Sequence, residues 1–280
     1  MLDEIHNHLV FVLTEKLGWH DATNPEMALG SGHVVIRFEI RGQRMVYRVA
    51  RHGLQQHKRT MLAYRHVGGL GIIPEKIYHD GKCVIERHAD GVALTAQVSD
   101  GVLVQLAQRL SQLHAIGAHG FGPLDFDLQG SFADAQDYYK ERSTIEFDRS
   151  EMDLTEAQES FLTANLEQVL KPPTALLTAP VRLGHGDLWR NNILITHDSF
   201  RIVDWDRIGA YPIERELAFL WELGLSAHQF TLFYEHYAQA SALNPVLLAW
   251  FAKRRVLGDV GLPLAKKLQK LQKIDELANE

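Results

Sequence analysis

The chain has 280 residues, a formal net charge of −6 at pH 7 and 46% hydrophobic residues, which is length and apolar content enough for one large domain or for two lobes with a substantial core. Its Lys and Arg residues are scattered and form no basic stripe, which argues against a nucleic-acid partner, while the acidic balance suits either plain solubility or a cationic small molecule. The single cysteine, Cys83, excludes an internal disulfide framework and a cysteine-based metal cluster; together with the absence of a signal-like start or a membrane-length apolar window, this makes a cytoplasmic protein with no membrane association the expectation.

Apolar residues at Ile5, Leu9, Val12, Leu13 and Leu17 predict an amphipathic opening helix that ends near Gly18. Val34 to Ile40 and Met45 to Val49 are rich in branched residues and flank Arg41-Gly42-Gln43-Arg44, so they predict two antiparallel strands joined by a tight turn. Gln55 to His66 is a polar helix candidate, and Ile72 to Ile85 contains a second hairpin signal around His79-Asp80-Gly81-Lys82. From Val98 onward the pattern is helical: Val102 to His114, Leu154 to Leu170, Pro212 to Leu225, Phe230 to Ala240 and Pro245 to the end. One interruption stands out, at Val181 to Val203, where Asn192 to Ile195 and Phe200 to Val203 flank Thr196-His197-Asp198-Ser199 as a small hairpin between helices.

The chemistry-bearing residues sit at the edges of that hairpin. His185-Gly186-Asp187 is followed five residues later by Asn192, the spacing of a kinase catalytic loop in which the aspartate receives the proton of an acceptor hydroxyl and the asparagine holds magnesium. Phosphoryl transfer asks a protein mainly to position the attacking oxygen and to neutralise phosphate charge with metal ions. A carboxylate for the hydroxyl and an amide oxygen for the metal, one short loop apart, meet that need. Asn191 is the neighbouring candidate, but the spacing selects Asn192. The apolar run Phe200-Arg201-Ile202-Val203 then delivers Asp204, a second metal ligand candidate whose plainer reading is a turn or cap residue. His185 reads as a brace for the loop, since no second His or Cys stands at ligand spacing.

These motifs resemble the aminoglycoside phosphotransferase and choline kinase superfamily, which includes fructosamine-kinase-like proteins. His185-Gly186-Asp187-Leu188-Trp189 with Asn192 is similar to its His-Gly-Asp-Leu loop, Ile202-Val203-Asp204-Trp205 to its Ile-Asp-Trp strand, Glu214-Arg215-Glu216-Leu217-Ala218 to its Asp-Leu-Ala helix, and Leu110 to His114 followed by Phe121-Gly122 to its Leu-x-x-Leu-His helix and Phe-Gly turn. The resemblance implies an α+β, two-lobed protein-kinase-like fold: a small antiparallel-sheet N-lobe over residues 1–87 that binds nucleotide, and a larger, mainly helical C-lobe over residues 88–280 that carries the catalytic loop, metal site and acceptor site. It also implies ATP and Mg2+ as cofactors, and in the N-lobe it places Ser31 and Gly32 in a small-residue loop over the phosphates, Arg48 at the phosphate-pairing cation and Glu86 at the hinge. Arg48 stands where Lys is the commoner choice, and no acidic residue lies between Gln55 and His66 to orient it. Either another acid takes that part, or the nucleotide is held in an altered way.

The expected activity is transfer of the ATP γ-phosphate to a hydroxyl of a small molecule, with an amine-bearing acceptor (aminoglycoside-, fructosamine- or choline-like) favoured if Asp206, Glu214 and Glu216 face it. Those acids can equally be a solvated helix face or, for Glu216, an internal hydrogen bond to the catalytic loop. A catalytically weak nucleotide-binding pseudokinase is the alternative, fed by Arg48 and the missing helix acid. The absence of an Ala-Pro-Glu segment after Asp204 argues against a protein kinase.

Overall fold

The structure is a computed structural model that describes residues 2–29, 33–51, 54–140, 154–259 and 261–279. Ser31 and Gly32 lie outside the described residues. The chain folds into two compact units, Met1–Val92 with Ile193–Arg207, and Ala93–Asn192 with Ile208–Glu280. The hairpin Ile193–Ile195/Phe200–Ile202 therefore groups with the N-terminal unit, which a single cut in the linear sequence does not contain.

The N-terminal unit is built on a five-stranded antiparallel sheet of β1 (Thr23–Leu29), β2 (His33–Ile40), β3 (Gln43–Ala50), β4 (Lys76–His79) and β5 (Cys83–Arg87), in the order β1-β2-β3-β5-β4. The β2–β3 turn closes through Arg41 (φ 52°) and Gly42 (φ 70°), and left-handed conformations at both central residues match the twist of the flanking strands. Helix α1 (Leu2–Phe11) runs into a π-helical turn at Val12–Lys16. Leu9, Val12 and Leu13 bury against Ile36, Phe38, Met45, Tyr47, Cys83 and Ile85. Cys83 is a core residue, and burial pushes its thiol up to about 12, so it is an inert one. Helix α2 spans Leu54–Val67. Strand β1 had no counterpart in the sequence reading: its residues are mostly exposed, and Pro25 and a register irregularity between Thr23 and Glu26 are what an edge strand tolerates.

In the second unit, helix α3 (Asp100–His114) starts at Ser99, whose side chain caps the Val102 amide, and buries Leu103, Leu106, Leu110 and Leu113 completely. The long helix expected from Pro212 is instead two short ones, Ile213–Leu217 and Phe219–Leu223, ending at Gly224 with φ 74°. The last helical stretch is likewise divided, into Pro245–Gly258 and Leu264–Asn279, with Pro263 between them. A four-stranded sheet, ordered Gly130–Phe132, Phe121–Leu124, Gly209–Pro212 and Val181–Gly184, forms within the stretch after Val98 whose pattern reads as helical, and of its strands only Val181–Gly184 falls in the expected interruption. Among the described residues no helix is long and apolar enough to cross a membrane.

Candidate functional site

In the C-terminal unit, the strand Val181–Gly184 leads directly into His185, Gly186 and Asp187. The turn is held by Glu216, which is 1% exposed and accepts the backbone N–H of His185 at 2.6 Å and of Gly186 at 3.0 Å. Glycine is required twice. A Cβ on Gly184 would stand 2.8 Å from the Glu216 carboxyl carbon, and Gly186 has φ 82°. His185 is fully buried and its Nδ1 accepts the Asp187 N–H at 3.3 Å, the brace expected of it.

After a turn at Arg190–Asn192, Asn192 is buried and its Nδ2 donates to the Asp187 main-chain carbonyl at 2.9 Å, which keeps its Oδ1 for another partner; Asn191 is exposed. Glu214, 3% exposed, accepts the Asn244 N–H at 2.9 Å. Burial pushes the Glu214 pKa up, with the backbone hydrogen bond opposing. Both glutamates that the sequence offered to an acceptor are thus turned inward onto backbone amides.

Beside Asp187 lies a cavity of about 220 Å³ lined by Tyr139, Phe251, Arg215, Arg254 and Arg255 among others. Arg215 donates from Nη2 to the Gly186 carbonyl (2.9 Å) and from Nη1 to the Tyr138 hydroxyl (3.2 Å), and its guanidinium carbon sits 3.9 Å from the Tyr211 ring centre. The sequence motifs mark neither Arg215 nor Arg254 as a site residue. The only signal for Arg215 was its place between Glu214 and Glu216.

In the N-terminal unit, Arg48 projects from β3 and donates from Nη2 to Asp204 Oδ1 (2.8 Å) and from Nη1 to Glu86 Oε1 (3.4 Å). Glu86, 5% exposed on β5, also accepts the hydroxyl of Tyr64 from α2. The acid missing from the helix is thus supplied by a strand, and the helix supplies a tyrosine that holds the acid. Burial pulls the Arg48 pKa down, but Glu86 and Asp204 outweigh it and hold it above its ordinary value.

The hairpin Ile193–Ile195/Phe200–Ile202 leads to Asp204, which adopts φ 67°, a strained conformation for a residue with a Cβ. Asp206 accepts from Gln56 Nε2 on α2, and burial followed by the neighbouring Asp204 charge raises its pKa. One ligand atom each of His33, Asp204 and Asp206 lie within 4.8 Å of one another. The two carboxylates are a donor pair suited to a hard divalent ion, which would relieve their mutual repulsion.

The model of the phosphotransferase enzyme family matches residues 28–255 of the chain. A search of curated protein sequences found no match. Among solved structures, the chain resembles aminoglycoside phosphotransferase APH(4)-Ia at 17% identity and TM-score 0.63, covering 98% of each chain. It also resembles spectinomycin phosphotransferase APH(9)-Ia in its AMP-bound complex, at 16% identity and TM-score 0.64, again with 98% of each chain covered. A third match is macrolide 2'-phosphotransferase MphH from Brachybacterium faecium, at 15% identity and TM-score 0.59, covering 96% of this chain and 97% of that one. Similarity of this extent establishes the kinase-like fold, with an antiparallel-sheet N-terminal part and a mainly helical C-terminal part.

Proposed function

Because the chain belongs to the phosphotransferase enzyme family, we propose that it is an ATP-dependent small-molecule kinase that moves the γ-phosphoryl group to an acceptor hydroxyl. The observation that carries this reading is the Glu216 clamp on His185 and Gly186, together with the Asn192 bond to Asp187, which fix one carboxylate and one amide oxygen on a short loop. Loose transition states in phosphoryl transfer reward such fixed positioning. Use of a nucleotide is supported by relatives: APH(4)-Ia variants were solved with AMP-PNP or ADP and hygromycin B, and APH(9)-Ia with ADP and spectinomycin.

In the proposed reaction Asp187 accepts the proton of the acceptor hydroxyl as its oxygen bonds to the γ-phosphorus. The bond from that phosphorus to the β–γ bridging oxygen breaks, ADP leaves, and Asp187 later returns the proton to solvent. Arg48, oriented by Glu86, neutralises phosphate charge, and Ser31 and Gly32 offer backbone amides to the phosphates. Asn192 Oδ1 and Asp204 would hold the magnesium ion, with Asp206 beside Asp204. Magnesium held there would supply neutralisation of phosphate charge. Residues from the Glu86 hinge hold the adenine through their backbone. A cytoplasmic setting, with its ready ATP, accords with this reading.

Asp187→Asn tests the assignment. Turnover is expected to fall by about 10²- to 10⁴-fold while Mg·ATP binding, measured by calorimetry, is retained. Undiminished turnover refutes the role of Asp187. Mg·ATP binding without turnover on any acceptor would instead favour a regulatory nucleotide-binding module.

A further inference from the structure

The cavity beside Asp187 is lined by three arginines, whereas the acids that would welcome a cationic acceptor are engaged elsewhere. Glu214 and Glu216 accept backbone N–H groups, and Arg255 is neutralised by Glu222 at 2.8 Å. Arg215 is different. Among the described residues its hydrogen bonds include the Gly186 carbonyl and the Tyr138 hydroxyl, its ring contacts are tyrosines, and no carboxylate lies within ion-pair distance of it. The bond to the Gly186 carbonyl places this cation one residue from Asp187.

A half-buried guanidinium whose partners among the described residues are neutral keeps part of its desolvation cost, and an incoming anion offsets it. Arg254 adds a second positive charge to the same cavity. Its Nη1 donates to the Val169 carbonyl at 3.0 Å and its guanidinium lies over the Tyr139 ring at 5.2 Å. Burial lowers the Arg254 pKa, opposed by Tyr139 and Tyr138, with a smaller lowering contribution from Arg215. Planar forks of this kind match an oxyanion in bidentate fashion, and the flanking Tyr139 and Phe251 give an apolar wall to the rest of the ligand.

We propose that the acceptor is a small anionic alcohol, whose carboxylate or phosphate ester is held by Arg215 and Arg254 while its hydroxyl faces Asp187. This rests on the phosphotransfer reading above and replaces the amine-bearing acceptor suggested by the sequence with an anionic one. The reaction is unchanged: the acceptor hydroxyl loses its proton to Asp187 and gains the γ-phosphoryl group, and the resident anion takes no part in bond making.

The test measures ADP release by the wild-type protein with Mg·ATP on four sets of acceptors: hydroxy acids, phosphate monoesters bearing a free hydroxyl, amino alcohols, and neutral polyols and sugars. The highest kcat/KM is expected in one of the first two sets, and comparison of those sets separates carboxylate from phosphate. The neutral primary amide of the best hydroxy acid, or the dephosphorylated form of the best phosphate ester, should be at least about tenfold poorer, the loss of one charge-assisted contact. Arg254→Gln should raise the acceptor KM by at least about tenfold and leave the neutral analogue and the Kd of Mg·ATP within about twofold. Arg215→Lys, which keeps the charge but loses the fork, should give a smaller rise in the same parameter. A preference for amino alcohols or neutral compounds overturns the proposal, as does a lack of turnover in both anionic sets while Mg·ATP binds. Failure of Mg·ATP to bind by calorimetry would instead remove the phosphotransfer reading itself, and this inference with it.

Discussion

Tyr64 donates its hydroxyl to the Glu86 carboxylate, whose other oxygen faces Arg48 at 3.4 Å. The three side chains come from α2, β5 and β3, Glu86 buried and Tyr64 and Arg48 half-buried beside it, so each holds the next in place. Tyr64→Phe removes one hydrogen bond from a buried carboxylate and is expected to cost about 1 to 2 kcal/mol of stability. Glu86→Gln leaves the Arg48 cation with Asp204 alone and should cost about 2 kcal/mol or more, together with a Mg·ATP affinity weakened by about tenfold. Urea unfolding and calorimetric titration check both, and unchanged stability and affinity in Glu86→Gln would remove the carboxylate from its assigned part.

This triad also marks where the sequence stops being legible. Asp187 and Asn192 are five residues apart on one loop, so their kinship shows in the linear order, and the structure ties Asn192 rather than Asn191 to Asp187. Arg48 and Glu86 are 38 residues apart and meet only because β3 and β5 pair, with Arg48 opposite Val84. The helix itself carries no acid, and the strand pairing that brings Glu86 in is not a local property. The central strands and the long helices followed from apolar periodicity, whereas β1 did not, because an exposed edge strand has no buried face to impose alternation. Direction is the other hidden quantity: Glu214 and Glu216 read either as acceptor contacts or, for Glu216, as an internal bond to the loop, and the fold turns both onto backbone amides.

Glu216 gives a prediction that separates support of the loop from contact with substrate. Glu216→Gln puts an amide NH2 against one of the backbone N–H groups that the carboxylate now accepts. The expected loss is about 2 to 3 kcal/mol of stability, for a buried, charge-assisted pair of hydrogen bonds. Below the unfolding transition, kcat should fall by on the order of tenfold or more through misplacement of Asp187, with the KM for ATP little changed. A variant as stable and as fast as wild type would show that the clamp is dispensable.

His114 sets an acid limit on the fold. It is fully buried, its Nδ1 lies 2.7 Å from the Tyr237 hydroxyl, and burial holds its pKa down at about 3. With an ordinary histidine value of about 6.5 in the unfolded chain, the unfolded state binds the extra proton throughout that interval. Stability attributable to this site is therefore intact above about pH 6.5 and is lost as pH falls toward 3, by on the order of 3 kcal/mol at pH 4. His114→Asn keeps a polar group near Nδ1 and cannot titrate. Urea unfolding at a series of pH values should give a steeper acid decline for wild type than for the variant, and parallel curves would exclude His114 as the source.

Asp204 provides the test of the metal. Its left-handed backbone, at φ 67°, makes alanine a poor probe, because backbone strain and lost ligand would change together. Asparagine tolerates that conformation and removes only the charge, so Asp204→Asn should fold. It also frees Arg48 from its 2.8 Å ion pair, leaving Glu86 to hold it. If Asp204 is a magnesium ligand, ATP titrations with and without magnesium should separate the two effects: the gain in affinity that magnesium brings to wild type should shrink by at least about tenfold in the variant. Metal-free ATP should bind the variant as well as or better than wild type, because a carboxylate no longer competes for Arg48. A magnesium-dependent gain equal to that of wild type would leave Asp204 as a partner of Arg48 alone and move the metal to other ligands.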